Sequence, residues 1–66
     1  MNMALLESKI DESGYKKEFI AKQLGLSRQG LYLKIKNPNL WKVTEMTTLV
    51  KLLSLNKTDS KQIFDS

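Results

Sequence analysis

The sequence predicts an all-α fold of five short helices, and three features of the chain support that class. Apolar residues recur at spacings of three and four positions, as on one face of a helix, rather than in strict alternation. Gly14 and Gly25 each follow such a stretch directly, where a left-handed residue commonly ends a helix. Pro38 gives a third break, because proline disfavours helical geometry in the residue before it. The expected helices span about residues 2–13, 16–24, 28–36, 45–53 and 60–64, within a single domain covering 1–66.

The first predicted helix, residues 2–13, has one apolar face. Leu6 and Ile10 stand four positions apart, so their side chains lie one above the other on the same side of the helix. Met3 and Leu5 widen that stripe. The stripe is therefore expected to pack into the core, while the acidic residues of this segment face solvent.

The second predicted helix, residues 16–24, repeats this arrangement on a shorter scale. Ile20 and Leu24 stand four positions apart and form its apolar stripe. Gly25 supplies the stop, because glycine enters the left-handed region without a Cβ penalty. Phe19 lies at the edge of the stripe, and we expect it to be half-buried against the first helix.

The third predicted helix, residues 28–36, begins after Ser27, whose hydroxyl is expected to accept a hydrogen bond from the free N–H groups of the first turn. Leu31 and Ile35 stand four positions apart and should face the core. The remaining faces carry side chains that suit base edges and phosphates better than a core: Arg28, Gln29, Tyr32, Leu33 and Lys36. Gly30 costs this helix ~1 kcal/mol relative to alanine, and a close approach of another backbone would explain its presence.

The rest of the chain is expected to form a loop and two further helices. Leu40 and Trp41 in the loop are either a lid on the core or part of a dimer contact. Thr44 is the expected N-cap of helix 45–53, with Glu45 at the positive end of that helix. Either Asp59 or Ser60 is expected to cap the last helix, residues 60–64.

The positive charge of the chain is concentrated in one segment. Residues 16–42 carry a net charge of +6, residues 1–15 carry −2, and residues 43–66 balance at zero. A surface evolved only for solubility intersperses the two signs, whereas a basic segment favours a polyanionic partner. The alternative is a basic face that simply remains solvated.

The composition argues against several classes of function. The 66 residues include neither cysteine nor histidine, so the chain lacks thiol nucleophiles, Ser-His pairs and the common transition-metal ligands. We therefore expect no enzymatic activity, no metal and no cofactor. No apolar run approaches the ~18 residues of a membrane span, and the N-terminus lacks the features of a signal peptide. A chain of this length buries only roughly 60% of its unfolded surface, which favours self-association.

Five residues of the second and third predicted helices and the turn between them stand at the spacings of a known motif: Ala21, Gly25, Leu26, Ser27 and Leu31. At these spacings they resemble the helix-turn-helix of the phage Cro and repressor family, the lambda-repressor-like DNA-binding domains. That family packs five short helices into about this length. The resemblance implies a compact domain with the motif at helices two and three, and a small regulator of transcription in the cytoplasm of a bacterial host.

The resemblance also implies how DNA would be bound. A dimer would place each 28–36 helix in the major groove of a two-fold operator, one helical turn apart. The side chains expected to contact bases are Arg28, Gln29, Tyr32 and Leu33. Those expected to contact phosphates are Lys16, Lys17, Ser27, Lys34, Lys36, Asn37 and Lys42. Those expected to form the dimer or partner surface are Leu40, Trp41, Leu55 and Phe64.

An alternative function uses the same scaffold without DNA. Two positions depart from the family, which usually has a longer residue at Gly30 and often a polar base-reading side chain at Leu33. Leu33 could instead join Tyr32, Leu40 and Trp41 in an apolar patch. The protein would then be an interaction module that modulates another phage regulator.

Overall fold

The computed structural model describes residues 1–65 and has five α-helices in that part of the chain. They are α1 (Met3–Ser13), α2 (Lys17–Gln23), α3 (Arg28–Lys36), α4 (Val43–Leu52) and α5 (Lys57–Phe64), with a single 3-10 turn at Pro38–Leu40. The helices pack into a body of 28 × 25 × 20 Å. The predicted all-α class and the number of helices are confirmed. No helix within the described part of the chain is long and apolar enough to cross a membrane.

Glycine ends the first two helices, as the sequence predicted. Gly14 is the C-cap of α1, with φ of +78°. Gly25 follows the C-cap of α2, with φ of +73°. Both values lie in the left-handed region that side chains with a Cβ disfavour.

The predicted N-caps of α4 and α5 are wrong, and both helices begin earlier than expected. The helix α4 begins at Val43 after the N-cap Lys42, whose N–H donates to a carboxylate oxygen of Glu45 at 3.0 Å. This bond satisfies a free donor at the helix start without Thr44. The cap of α5 is Asn56, which accepts a hydrogen bond from the N–H of Asp59 at 2.7 Å. Asparagine caps as well as aspartate or serine, so the helix gains its first turn.

All five helices contribute to one core. The largest fully buried side chains are Leu6, Ile10, Ile20, Leu31, Leu49 and Ile63. The stripe predicted for α1 is thus confirmed, whereas those predicted for α2 and α3 are each confirmed at one residue, since Leu24 and Ile35 are only half-buried. The two ends of the described chain are joined, since the N–H of Asn2 donates to the carbonyl of Ile63 at 2.7 Å.

The two large residues of the loop between α3 and α4 have opposite environments. Trp41 is 6% exposed and belongs to the core, so it is a lid on the core, one of the two roles that the sequence left open. Leu40 is 49% exposed. The indole N–H of Trp41 has no hydrogen-bond partner among residues 1–65.

Phe19 is more open than the sequence predicted. It is 41% exposed, and its ring lies against Tyr15, with 5.0 Å between ring centroids. Its aromatic contact is therefore with the segment leading into α2.

Candidate nucleic-acid interface

The helix α3 is fixed by its buried face and leaves the other faces accessible. Leu31 is fully buried, which anchors the middle of the helix. The hydroxyl of Ser27 accepts a hydrogen bond from the N–H of Gly30 at 3.0 Å, as expected of an N-cap. Gln29 is exposed, and Leu33 is 55% exposed. Arg28, Gln29 and Leu33, three of the four residues named as base contacts, are therefore accessible, whereas Tyr32 is half-buried.

Gly30 has a local explanation rather than the close backbone approach that the sequence suggested. A Cβ at this position would lie 3.3 Å from the Oγ of Ser27 and 3.6 Å from the Cβ of Leu26. The first of these distances is shorter than an ordinary van der Waals contact. Gly30 thus leaves room for the capping hydroxyl.

The first turn of α3 meets α2 in a cluster of charged and aromatic side chains, which we call the Arg28 cluster: Lys17, Glu18, Arg28 and Tyr32. The guanidinium of Arg28 lies 5.9 Å from the centroid of the Tyr32 ring, and one of its nitrogens lies 4.0 Å from a carboxylate oxygen of Glu18. The ammonium of Lys17 lies 5.4 Å from the same ring. The cluster borders a cleft of about 400 Å³ between the start of α2 and α1.

Several of the predicted phosphate contacts are exposed and form no ion pair. Lys16, Lys36 and Lys42 are exposed, and none of the ion pairs within the described residues includes them. Lys17 forms a weak pair with Glu7 on α1, at 3.8 Å. Lys17 itself is half-buried, and a partly exposed pair of this length contributes little to stability.

Two further predicted phosphate contacts already have intramolecular roles. The hydroxyl of Ser27 serves as the N-cap of α3 but still carries a proton that it can donate. The side-chain amide of Asn37 donates to the carbonyl of Leu33 at 3.1 Å, at the C-terminal end of α3. Both residues remain exposed at the two ends of the helix.

Lys34 is placed differently from the prediction that it contacts a phosphate. Its ammonium lies 2.5 Å from a carboxylate oxygen of Glu45 and donates to the carbonyl of Leu40 at 3.2 Å. The side chains of the ion pair are only 12% and 9% exposed. The ammonium also lies 5.9 Å from the ring of Trp41. Lys34 is therefore turned inward and cannot reach a partner without breaking this pair.

The Lys34–Glu45 pair alters the acidity of the carboxyl group. Burial alone would raise the pKa of Glu45, but the hydrogen bonds from Lys34 and from the N–H of Lys42 oppose burial, as do the positive charges of both lysines. The pKa of Glu45 is consequently lower than its ordinary value. The carboxylate is the charged partner that keeps Lys34 inside.

Two residues of the predicted dimer surface are corrected by their burial. Trp41 and Leu55 are 6% and 9% exposed and pack into the core. Leu40 remains accessible, and Phe64 is half-buried. Val43, which the sequence analysis did not consider, is 76% exposed at the first position of α4. It was missed because the helix was expected to begin two residues later.

No role was predicted from the sequence for Glu18, the acid of the Arg28 cluster. The available signal was its isolation, since it is the one acid between residues 16 and 42.

No group of acidic side chains in the described structure is arranged to hold a metal ion. The chain matches no family model, no curated protein and no solved structure closely enough to identify a relative.

Proposed function

We propose that this protein is a small phage-type regulator of transcription, similar to the Cro and repressor family, that binds two-fold operator DNA as a dimer through α3. The observation that carries the proposal is the combination of a buried anchor, Leu31, with two accessible base-reading side chains in the first turn of the same helix, Arg28 and Gln29. A helix held in this way can enter a major groove without rearranging the core.

Arg28 and Gln29 would read sequence. An arginine pairs in bidentate geometry with the edge of guanine, and a glutamine with that of adenine. Leu33, 55% exposed one turn later, would contact thymine methyl groups, with Tyr32 beside it. Contact with a thymine methyl group would bury this exposed apolar side chain, whereas in the free protein it faces water.

The flanking positive charge would hold the backbone of the DNA. The exposed ammonium groups of Lys16, Lys36 and Lys42, together with Lys17, would neutralise phosphates and set the register of α3. Ser27 and Asn37 would add hydrogen bonds at the two ends of the helix. Lys34 is left out of this set because Glu45 holds it.

A protein-interaction module is the second candidate, and a specific observation favours it. Leu33, Leu40 and Val43 are 55%, 49% and 76% exposed and belong to the end of α3, the following loop and the start of α4. Apolar residues on the surface can mark a partner site. In this alternative the partner is another regulator, and the charge of residues 16–42 sets only solubility.

Mobility shifts of a labelled duplex across a series of salt concentrations separate the two candidates. Binding through several phosphates weakens steeply as salt rises, whereas an apolar interface does not. Lys36→Gln should weaken binding and reduce the salt slope by about one. Lys51→Gln is the matched control, because Lys51 is also exposed but lies on α4, outside residues 16–42. If the unaltered protein shifts no duplex at low salt, the DNA proposal is wrong.

A further inference from the structure

Glu18 is out of place on a surface that binds a polyanion. It is the single acid among the eight charged residues between 16 and 42, and its side chain is 71% exposed. A carboxylate there repels the phosphates that the neighbouring lysines attract. Its position therefore needs a role that offsets this loss.

The nearest cation to Glu18 is the side chain that is best suited to read guanine. Its carboxylate lies 4.0 Å from the guanidinium of Arg28, and the ring of Tyr32 lies 5.9 Å from that guanidinium. Arg28 thus lies between a charge from α2, at the longest distance of an ion pair, and an aromatic ring one turn along α3. Tyr32 itself is half-buried, and the ammonium of Lys17 lies 5.4 Å from its ring.

A restrained arginine binds DNA differently from a free one. A free arginine is a long, mobile cation that can contact the nearest phosphate of any sequence, which raises affinity without discrimination. A carboxylate partner competes with a single phosphate contact but less well with the two parallel hydrogen bonds that guanine offers. The restraint also removes rotamer freedom before binding, which lowers the entropic cost of that bidentate contact.

We propose that Glu18 is a positioning residue for Arg28 that lowers affinity for arbitrary sequence and thereby raises the specificity of the helix α3. The inference rests on the proposed function. It assigns Glu18 a role through Arg28 rather than a contact with DNA, and it assigns the Tyr32 ring a supporting role beside any contact with thymine.

Two substitutions at one position separate positioning from simple charge. Glu18→Gln removes the charge and keeps the shape, whereas Glu18→Asp keeps the charge but is one methylene shorter and loses its reach to Arg28. Asp11→Asn is the matched control, because Asp11 borders the same cleft and is absent from the ion pairs of the described structure. The probes are a duplex selected by the unaltered protein from a randomised pool and a scrambled duplex of the same composition.

The expected result is a loss of discrimination in both Glu18 variants. The ratio of selected to scrambled affinity should fall about two- to fivefold, the size expected of an exposed ion pair, while Asp11→Asn leaves it unchanged. For Glu18→Gln the salt slope on the scrambled duplex should steepen by about one, because Arg28 gains a phosphate. In an Arg28→Ala background neither Glu18 variant should alter the ratio.

Two results would overturn the inference while leaving the proposed function intact. In the first, Glu18→Gln gains the same affinity for both duplexes and Glu18→Asp binds as the unaltered protein does. This result would mean that Glu18 acts only by repelling phosphates. In the second, the Glu18 variants lower the ratio of selected to scrambled affinity in the Arg28→Ala background as much as they do in the unaltered protein. If the unaltered protein prefers no duplex sequence, the proposed function itself is refuted, and the inference with it.

The restraint can also be observed without DNA. The ring protons of Tyr32 and the guanidinium protons of Arg28 should shift in nuclear magnetic resonance spectra of both Glu18 variants, but not in spectra of Asp11→Asn. Unchanged spectra would show that Glu18 does not position Arg28, whatever the binding data give.

Discussion

The buried pair between Lys34 and Glu45 gives the sharpest prediction for stability. Lys34→Met keeps most of the volume and the apolar stem of the lysine but removes the ammonium that bonds to Glu45 at 2.5 Å. The carboxylate, on a side chain that is 9% exposed, then loses its charged partner. Removing one partner of a buried pair typically costs about 3–5 kcal/mol.

Proton uptake limits the cost of leaving this charge buried, because the carboxyl group can become neutral once its partner is removed. Protonating a group with an ordinary pKa of 4.5 at pH 7 costs about 3.4 kcal/mol, since each unit is ~1.36 kcal/mol. We therefore expect Lys34→Met to lose about 3 kcal/mol at pH 7. A chain of this size has roughly 3–10 kcal/mol in total, so the variant should be close to its limit of stability.

The dependence on pH follows from the sign of the shift. The pKa of Glu45 is lowered in the folded protein, so the contribution of the pair is complete above pH 4.5 and is lost as the pH falls through the folded pKa. In Lys34→Met burial is opposed only by the N–H and the charge of Lys42, so the pKa of Glu45 should be higher than in the unaltered protein. The difference between the two proteins should therefore be largest near neutral pH and shrink as the pH falls through the pKa of Glu45 in the variant.

Urea unfolding followed by circular dichroism at several pH values measures this difference. Lys9→Met is the control, because Lys9 is 25% exposed and its carboxylate partners are more than 3 Å away, at 3.4 and 3.7 Å. It should cost less than about 1 kcal/mol. The double variant Lys34→Met, Glu45→Gln should recover part of the loss, because no buried charge remains. A cost for Lys34→Met as small as that of the control, or one that does not vary with pH, would refute the reasoning.

Three further substitutions test the site and the turn. Gln29→Ala should leave the melting temperature unchanged, since the side chain is exposed, yet cost ~1–3 kcal/mol on a selected duplex and little on a scrambled one; equal losses on both would contradict base reading. Ala21→Leu should lower the free energy of unfolding in urea by ~1–3 kcal/mol, because Ala21 is 2% exposed where α2 meets α3. Ala4→Leu, at an exposed site, is the control and should be nearly neutral. Gly25→Val should lower the free energy of unfolding by ~1–2 kcal/mol through its φ of +73° alone, because a Cβ there meets nothing within 4 Å. Gly25→Asn should melt at a higher temperature than Gly25→Val, because asparagine tolerates the left-handed region better than valine.

The helices were predictable where the signal is local. The four-residue spacing of Leu6 and Ile10 is enough to set the buried face of α1, and Gly14 and Gly25 set helix ends by their own conformational freedom. The cap Ser27 is likewise local, since its partner is the N–H three residues later. These features need no knowledge of the rest of the chain.

The failures concern contacts between distant parts of the chain. Lysine is ordinarily a surface residue, and the inward position of Lys34 depends on partners six to eleven positions later, Leu40, Trp41 and Glu45. For Leu40 and Trp41 the sequence left a core lid and a dimer contact open, and the structure buries Trp41 and leaves Leu40 exposed. The assignments of Arg28 and its neighbours to bases and phosphates stay predictions, because they concern a partner rather than the fold.

The environment of Trp41 has a practical consequence for spectroscopy. It is the single tryptophan of the chain, it is 6% exposed, and a lysine ammonium lies 5.9 Å from its ring. The tryptophan fluorescence of the protein therefore arises from one position, where α3, the loop and α4 meet. Its emission reports on that junction without any label, because opening the loop would bring water to the indole and remove the adjacent charge. A ligand that binds α3 and leaves the emission maximum unchanged has therefore not altered the surroundings of Trp41.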